Sequence, residues 1–322
     1  MSASTTQAGA LDALRPKADR GPILGPLVST WKFMRRKPMG GVGLVIVLAL
    51  FFAAVFAPLV APQSFEKQSI RERYQKPSLN HLLGTDDLGR DIFSRIVYGA
   101  RVSVLIGFGV VLIAGLLAGT AGVVTGFYGE KVDLIVQRFV DILIAFPGLI
   151  LLITFTALFP KPENALKLGP ITLDPSGQRG LYIVIALGIL TSFGASRVVR
   201  GAVIGIKNNQ YIEGARAIGA TDSRILLRYI LPNIFPTLLI LSTVQLGGAI
   251  LAESSLSFLG FGIPPPVPAW GGMLTGIARS NLTREPLVSV WPGLAITLAV
   301  FGFNMLGDAL RDVLDPRLRG SR

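Results

Sequence analysis

Residues 39–61 read MGGVGLVIVLALFFAAVFAPLVA, a run without one charged side chain. A bilayer's hydrocarbon core is about 30 Å thick, and a helix of about 20 apolar residues crosses it. The run is therefore long enough to span. It is too long for the apolar stretch of a signal peptide, about 7–15 residues, and no A-x-A cleavage site follows it cleanly. It reads as a retained anchor. Five further apolar stretches follow, at about residues 102–128, 139–159, 180–196, 231–252 and 287–307. The third contains one charge, Asp141, and the fourth is short. The fold expected is all-α, a polytopic membrane protein with six transmembrane helices.

Composition agrees with that reading. Of 322 residues, 51% are hydrophobic and 16% charged, against roughly 25% charged in soluble domains, and mean hydropathy is +0.58. Disorder and collagen are excluded. With no cysteine, disulfides, thiolate metal sites and cysteine nucleophiles are excluded, and His81 as the one histidine removes zinc sites built on histidine pairs. The net charge of +12 would suggest nucleic-acid binding in a soluble chain, but the basic residues are scattered over separate loops and form no basic face. No nucleic-acid partner is expected; the expected surroundings are membrane lipid.

Residues 254–278 form a seventh uncharged run. Pro264, Pro265, Pro266 and Pro268, with five glycines, argue against a helix there. Bare backbone is not tolerated in lipid, so this segment is expected to be a loop with a partly inserted piece, with Trp270 near the headgroups. Six spans put both chain ends on one side. Lys32, Arg35, Arg36 and Lys37 precede the first span. Arg197, Arg200, Lys207, Arg216, Arg224 and Arg228 lie between the fourth and fifth, and Arg311, Arg317, Arg319 and Arg322 close the chain. All fall on the same side, which the positive-inside rule makes cytoplasmic. The basic residues of the first outer loop run against this assignment. The organisation expected is a cytoplasmic tail (1–38), a first span (39–62) and an extracytoplasmic loop with an amphipathic helix (63–101). A five-helix core (102–308) and a cytoplasmic tail (309–322) follow.

Between the fourth and fifth stretches, residues 207–224 read as a short helix, a turn and the start of a second helix. Ile212, Ala215, Ala217 and Ile218 recur at roughly helical spacing, Gly219 offers a C-cap, and Thr221 or Asp222 starts a second helix. A short helix on the basic side of a membrane protein suits docking into a groove of another protein.

These residues carry a resemblance. Glu213-Gly214-Ala215, then Gly219, then Ile230-Leu231-Pro232-Asn233, resembles the "EAA" loop of ABC importer permeases, with glycine at the second position where the family has alanine. The segment 81–91 (HLLGTDDLGRD), continuing through Ser94, Arg95 and 98–103 (YGARVS), is similar to the C-type permease subunits of the dipeptide/oligopeptide and nickel group. Residues 141–147 (DILIAFP) and 253–260 (ESSLSFLG) match further blocks, and the likeness covers about residues 30–318. It implies a type I ABC importer permease fold in a bacterial inner membrane. It makes residues 207–224 a coupling loop and assigns Glu213, Gly214, Ala215 and Gly219 to contact with an ATPase. The partners it implies are two ATPase subunits, a second, related permease subunit and an extracytoplasmic solute-binding protein. ATP and Mg would sit on the ATPase subunits, since no G-x-x-x-x-G-K-[ST] phosphate loop occurs here; no cofactor, metal or catalytic residue is expected on this chain. Di- or oligopeptides are the cargo implied, with nickel or another small solute as the alternative.

Other polar residues admit two readings. Residues 84–101 suit a helix on the outer membrane surface, N-capped by Thr85 or Asp86, with an Asp91–Arg95 pair; contact with substrate is the other reading. His81 reads as a loop residue, with a proton switch as the other reading. Asp141, Gln245, Glu253 and Asn304 are candidates for the translocation path or gate. Asp141 could instead pair with Arg138 one turn away, and Gln245 and Asn304 could hydrogen-bond between helices. Gly115 with Gly119, and Gly122 with Gly126, read as close helix packing. A secondary transporter, the rival from another class, tends to carry broken helices and buried ion-site carboxylates.

Overall fold

The uncharged runs fold as long helices because lipid offers no partner for a bare N–H or C=O, and a helix satisfies each within itself. The computed structural model describes residues 37–159, 162, 164–168, 171–275 and 285–314. The expected N-terminal tail up to Arg36, and Arg317, Arg319 and Arg322, lie outside the described residues. The elements are α1 (Pro38–Val55), α2 (Ala57–Val60), α3 (Ile92–Tyr128), α4 (Glu130–Ile144) and α5 (Gly148–Leu158). A hairpin of β1 (Leu166–Leu168) and β2 (Ile171–Leu173) follows. Then come α6 (Pro175–Lys207), α7 (Gln210–Ala217), α8 (Asp222–Ile225), a π turn (Leu226–Ile230), α9 (Leu231–Phe258) and α10 (Leu287–Leu314). Among the described residues, α1, α3, α6, the run through α8 and α9, and α10 are long and apolar enough to cross a membrane. The pair α4 and α5 would make a sixth span, bent by 93°.

Glycines set how these helices pack. A Cβ on Gly188 would lie 2.7 Å from Ile113, one on Gly122 2.6 Å from Val199, and one on Gly126 2.8 Å from Val203. Both partners advance along the chain together, so α3 and α6 run parallel, backbone close to backbone. Gly115 and Gly119 instead face Ser242 and Leu238 of α9, at about 4 Å, while Gly107 faces Ile250. That order makes α9 antiparallel to α3. Gly43 against Met305 and Gly302 against Ile46 set α1 antiparallel to α10. Lys37 Nζ donates to Asp312 Oδ2 at 2.6 Å, so the start of the first span and the end of the last meet at one end of the bundle, here termed the basic end.

The opposite end carries a cap. Residues 63–91 are a folded loop, and this corrects the expected surface helix over 84–101: Asp91, not Thr85 or Asp86, is the N-cap. Its side chain accepts from the Ser94 N–H at 2.8 Å and from Ser94 Oγ at 2.7 Å, and Ile92 onward belongs to the span α3. The Asp86 carboxylate holds the turn before it, accepting from the N–H groups of Leu88 and Arg90 at 2.9 Å and from Arg90 Nε at 2.6 Å. Gly89 sits there at φ 69°, a left-handed conformation that suits glycine. Arg95 pairs with Asp86 at 3.7 Å rather than with Asp91. His81 has a partner that linear spacing hides. It is buried, with Nδ1 3.0 Å from Asp91 Oδ1.

Two more expectations change. The third stretch is not a straight span, because the chain turns at residues 145–147 before α5, where Pro147 cannot continue α4. The fourth is not short; α6 has 33 residues, starting from an Asp174 cap that accepts from the Gly177 N–H. Trp270, expected near the headgroups, is covered by protein. It is buried, its Nε1 donates to the Ile96 carbonyl at 3.0 Å, and its ring fills the space that Gly99 leaves open.

Candidate functional site

At the basic end, α6 stops at Lys207 and the chain turns through residues 208–209 into α7, eight residues long. Ile212 and Ala215 face inward. Ile212 joins a core made by Val123 and Phe127 of α3, Val199 and Val203 of α6, and Ile225, Ile230 and Ile234 at the root of α9. Full burial of a side chain the size of Ile212 contributes about 1.5–3 kcal/mol, so α7 is pinned by its inner face to three spans at once. Arg216 and Lys207 both stand over the Phe127 ring at 5.7 Å.

The outer face is open. Glu213, Gly214, Arg216, Ala217 and Gly219 are exposed, and Ile218 is 85% exposed. A large apolar side chain standing free on a short docked helix offers an anchor for another surface. Gly219 closes the helix at φ 84°, which a residue with a Cβ adopts only with strain. The Ala220 N–H reaches the Ala215 carbonyl at 3.0 Å and the Gly219 N–H that of Arg216 at 2.9 Å, so both orphan carbonyls are satisfied in a Schellman closure. Thr221 then caps α8 by accepting from the Arg224 N–H. Of the four expected contact residues, Glu213, Gly214 and Gly219 lie on the outer surface, while Ala215 is an inward anchor.

Beside this helix the bent pair is fastened to α6. The Arg200 guanidinium donates to both carboxylate oxygens of Asp133, and Arg197 donates to Asp141. Asp141 is half-exposed and pairs with Arg197, not with Arg138 as the helical spacing suggests. Arg197 and Arg200 stand three apart on α6 and hold carboxylates at the two ends of α4. This clasp joins residues far apart in sequence; the only signal for it in the chain is that acid and base face each other across two basic-side segments.

The other path candidates do not meet at one place. Gln245 is half-buried on α9. Asn304 lies on α10 where it covers Gly247 of α9; a Cβ there would stand 3.0 Å from Asn304 Oδ1. Glu253 is fully buried near the cap end of α9, with Oε1 accepting from Ser257 Oγ at 2.6 Å. Two buried arginines near it, Arg95 and Arg179, form no part of the expected site. The Nη1 and Nη2 groups of Arg179 donate to the carbonyls of Thr156 and Phe261, each at 3.0 Å.

Against known proteins, residues 112–320 match the family model described as binding-protein-dependent transport system inner membrane component. Residues 25–77 match the N-terminal TM domain of oligopeptide transport permease C. A dipeptide transport system permease protein of Alkalihalophilus pseudofirmus is 38% identical over 94% of each chain. A glutathione transport system permease protein of Escherichia coli is 38% identical over 97% of each. A putative peptide transport system permease protein of Brucella suis is 37% identical, covering 91% of this chain and 93% of the relative.

Proposed function

The chain belongs to the family of binding-protein-dependent transport system inner membrane components, and from that premise we propose that it forms part of the path for di- or oligopeptides in an ATP-driven importer. The observation that carries this reading is the mounting of α7. Its inner residue Ile212 is packed into the core shared by α3, α6 and the root of α9, and Ala215 is buried as well, while Glu213, Gly214 and Ile218 stand free. A partner that grips the free face moves three spans together. Two ATPase subunits are the proposed partners, holding ATP and Mg, and this chain supplies the lever and the gate. A second, related permease subunit completes the path, and a solute-binding protein delivers cargo to the cap end.

The basic end is then cytoplasmic, in accord with the positive-inside rule, and both chain termini lie on that side of a bacterial inner membrane. The Lys37–Asp312 bond supports this, since it brings the first and last spans together at the end where Lys207 and Arg216 lie. The relatives' names, for dipeptide, glutathione and peptide permeases, favour peptides over nickel as cargo. ATP binding shifts the gate only through contacts that differ between its two states, and the free face of α7 is where such contacts form. Family membership sets the secondary-transporter reading aside.

The chain has no cysteine, so a single cysteine placed at Glu213 is a unique chemical handle. In the complex assembled with the proteins of its own operon, it is expected to crosslink to a nucleotide-hydrolysing subunit. ATP-dependent uptake of dipeptides into proteoliposomes is expected to be lost in Glu213→Ala. Crosslinks that never include such a subunit, with uptake intact in Glu213→Ala, would overturn the reading.

A further inference from the structure

The cap end holds a cavity of about 390 Å³ for which the coupling reading has no use. Arg95 from the first turn of α3, Arg179 from the first turns of α6, Ser257 from the last turn of α9 and the Pro264–Pro265 stretch line it. Both guanidiniums are withdrawn from solvent, Arg95 at 5% exposure and Arg179 at 7%. A buried guanidinium is costly unless its charge and its donors are met. Here they are met in part. Arg179 spends two N–H groups on backbone carbonyls, and among the described residues no carboxylate forms an ion pair with it. Arg95 Nη1 donates to the Phe65 carbonyl at 3.3 Å, but its buried Nε has no hydrogen-bond partner among the described residues.

The acids nearby are already engaged. Asp86, whose Oδ2 is 3.7 Å from Arg95 Nε, accepts from Arg90 and from two backbone N–H groups. Asp87 pairs with Arg90 at 3.5 Å. Glu253 turns its carboxylate to Ser254 and Ser257. Around this cavity and the smaller one beside it, three guanidiniums therefore face two committed aspartates among the described residues, with donors left over.

We propose that this cavity is a subsite for the free C-terminal carboxylate of the transported peptide, held between Arg95 and Arg179. The proposal rests on the peptide reading above. A guanidinium presents a planar fork that matches a carboxylate at two points. The terminal carboxylate is also the group that peptides share whatever their side chains, so a site built on it tolerates varied cargo. The volume lies at the small end of ligand pockets, which run from about 300 to 1,000 Å³. It therefore suits one terminal residue, whose side chain would rest on Pro264, Pro265, Val267 and Ala269.

The test uses the complete complex in proteoliposomes and two probes, a dipeptide with a free C-terminus and its C-terminal amide. Wild type is expected to import the acid at least about ten-fold faster than the amide, the scale of one charge-assisted, two-point contact. Arg179→Gln is expected to erase that preference by slowing the acid alone, leaving amide uptake within about two-fold of wild type; Arg179→Lys retains part of it. Equal loss for both probes, with the acid-to-amide ratio unchanged, would mean a structural role and overturn the proposal. An unchanged ratio with weaker docking of the binding protein would give the cavity to an acidic side chain of that protein, and also overturn it. Should Arg179→Gln fail to assemble, Arg95→Lys carries the same comparison. Import of neither probe by wild type would be a different result, the fall of the peptide reading itself.

Discussion

Replacing Gly219 by alanine is expected to loosen the end of α7 without any clash. Among the described residues a Cβ at this position meets no atom within 4 Å, so the cost is conformational. The backbone stands at φ 84°, and holding a residue with a Cβ there costs about 1–2 kcal/mol. The two closing bonds, from Ala220 to Ala215 and from Gly219 to Arg216, form only in that conformation. A loss of about 1–2 kcal/mol multiplies the open fraction by about 5–30, and amide exchange from local opening follows that fraction. Hydrogen exchange over residues 212–220 is therefore expected to accelerate by about that factor in Gly219→Ala, with a fall in uptake. Gly214→Ala is the control. Its added Cβ also meets no atom within 4 Å, but it sits inside the helix, where alanine is favoured by about 1 kcal/mol, so exchange there is expected to slow. Identical exchange in Gly219→Ala and the parent protein would refute the reasoning that the left-handed turn holds the helix end. Lost uptake in Gly214→Ala despite slower exchange would show that the bare backbone at 214 is itself a contact surface.

Trp270→Ala empties a fully buried site between the cap and Gly99, and is expected to cost about 3–5 kcal/mol, seen as a lower melting temperature of the purified complex. Trp270→Phe, which loses the bond to the Ile96 carbonyl, costs less; equal melting of the alanine variant and wild type would contradict the packing described. Asp133→Arg and Arg200→Asp are each expected to impair uptake by opening the clasp between α4 and α6. The doubly exchanged variant is expected to regain uptake, and a double-mutant cycle showing no coupling between the two sites would refute a working clasp.

Much of the fold was legible because lipid rewards uncharged length and little else. The runs that became α1, the membrane part of α3, and α9 stand out for that reason. Direction is another matter. Residues 139–159 keep their hydropathy straight through Pro147, so a scan reads one span where the chain bends by 93°. At the coupling loop, local chemistry was informative: Gly219 and Thr221 are turn and cap residues whose backbone demands are met within a few positions. Partners far apart in sequence were not legible. Asp141 has a base one turn away in Arg138, yet it pairs with Arg197 of α6, 56 residues on in the chain. His81 lacks a neighbour at helical spacing and finds Asp91 only because the cap folds back. Nothing in the local sequence marks Arg179 as enclosed; the approach of the Thr156 and Phe261 carbonyls reveals it.

The length of α3 has a consequence of its own. Its 37 residues make a rod of about 55 Å, nearly twice the thickness of the hydrocarbon it crosses, and no proline interrupts it. The head of this rod holds Asp91 and Arg95; its foot, at Phe127, lies beneath Lys207 and Arg216. A tilt at one extremity is thus passed toward the other along one continuous helix. By linkage, whatever load at the foot tightens the grip of the head must itself be tightened, by the same factor, when the head is filled.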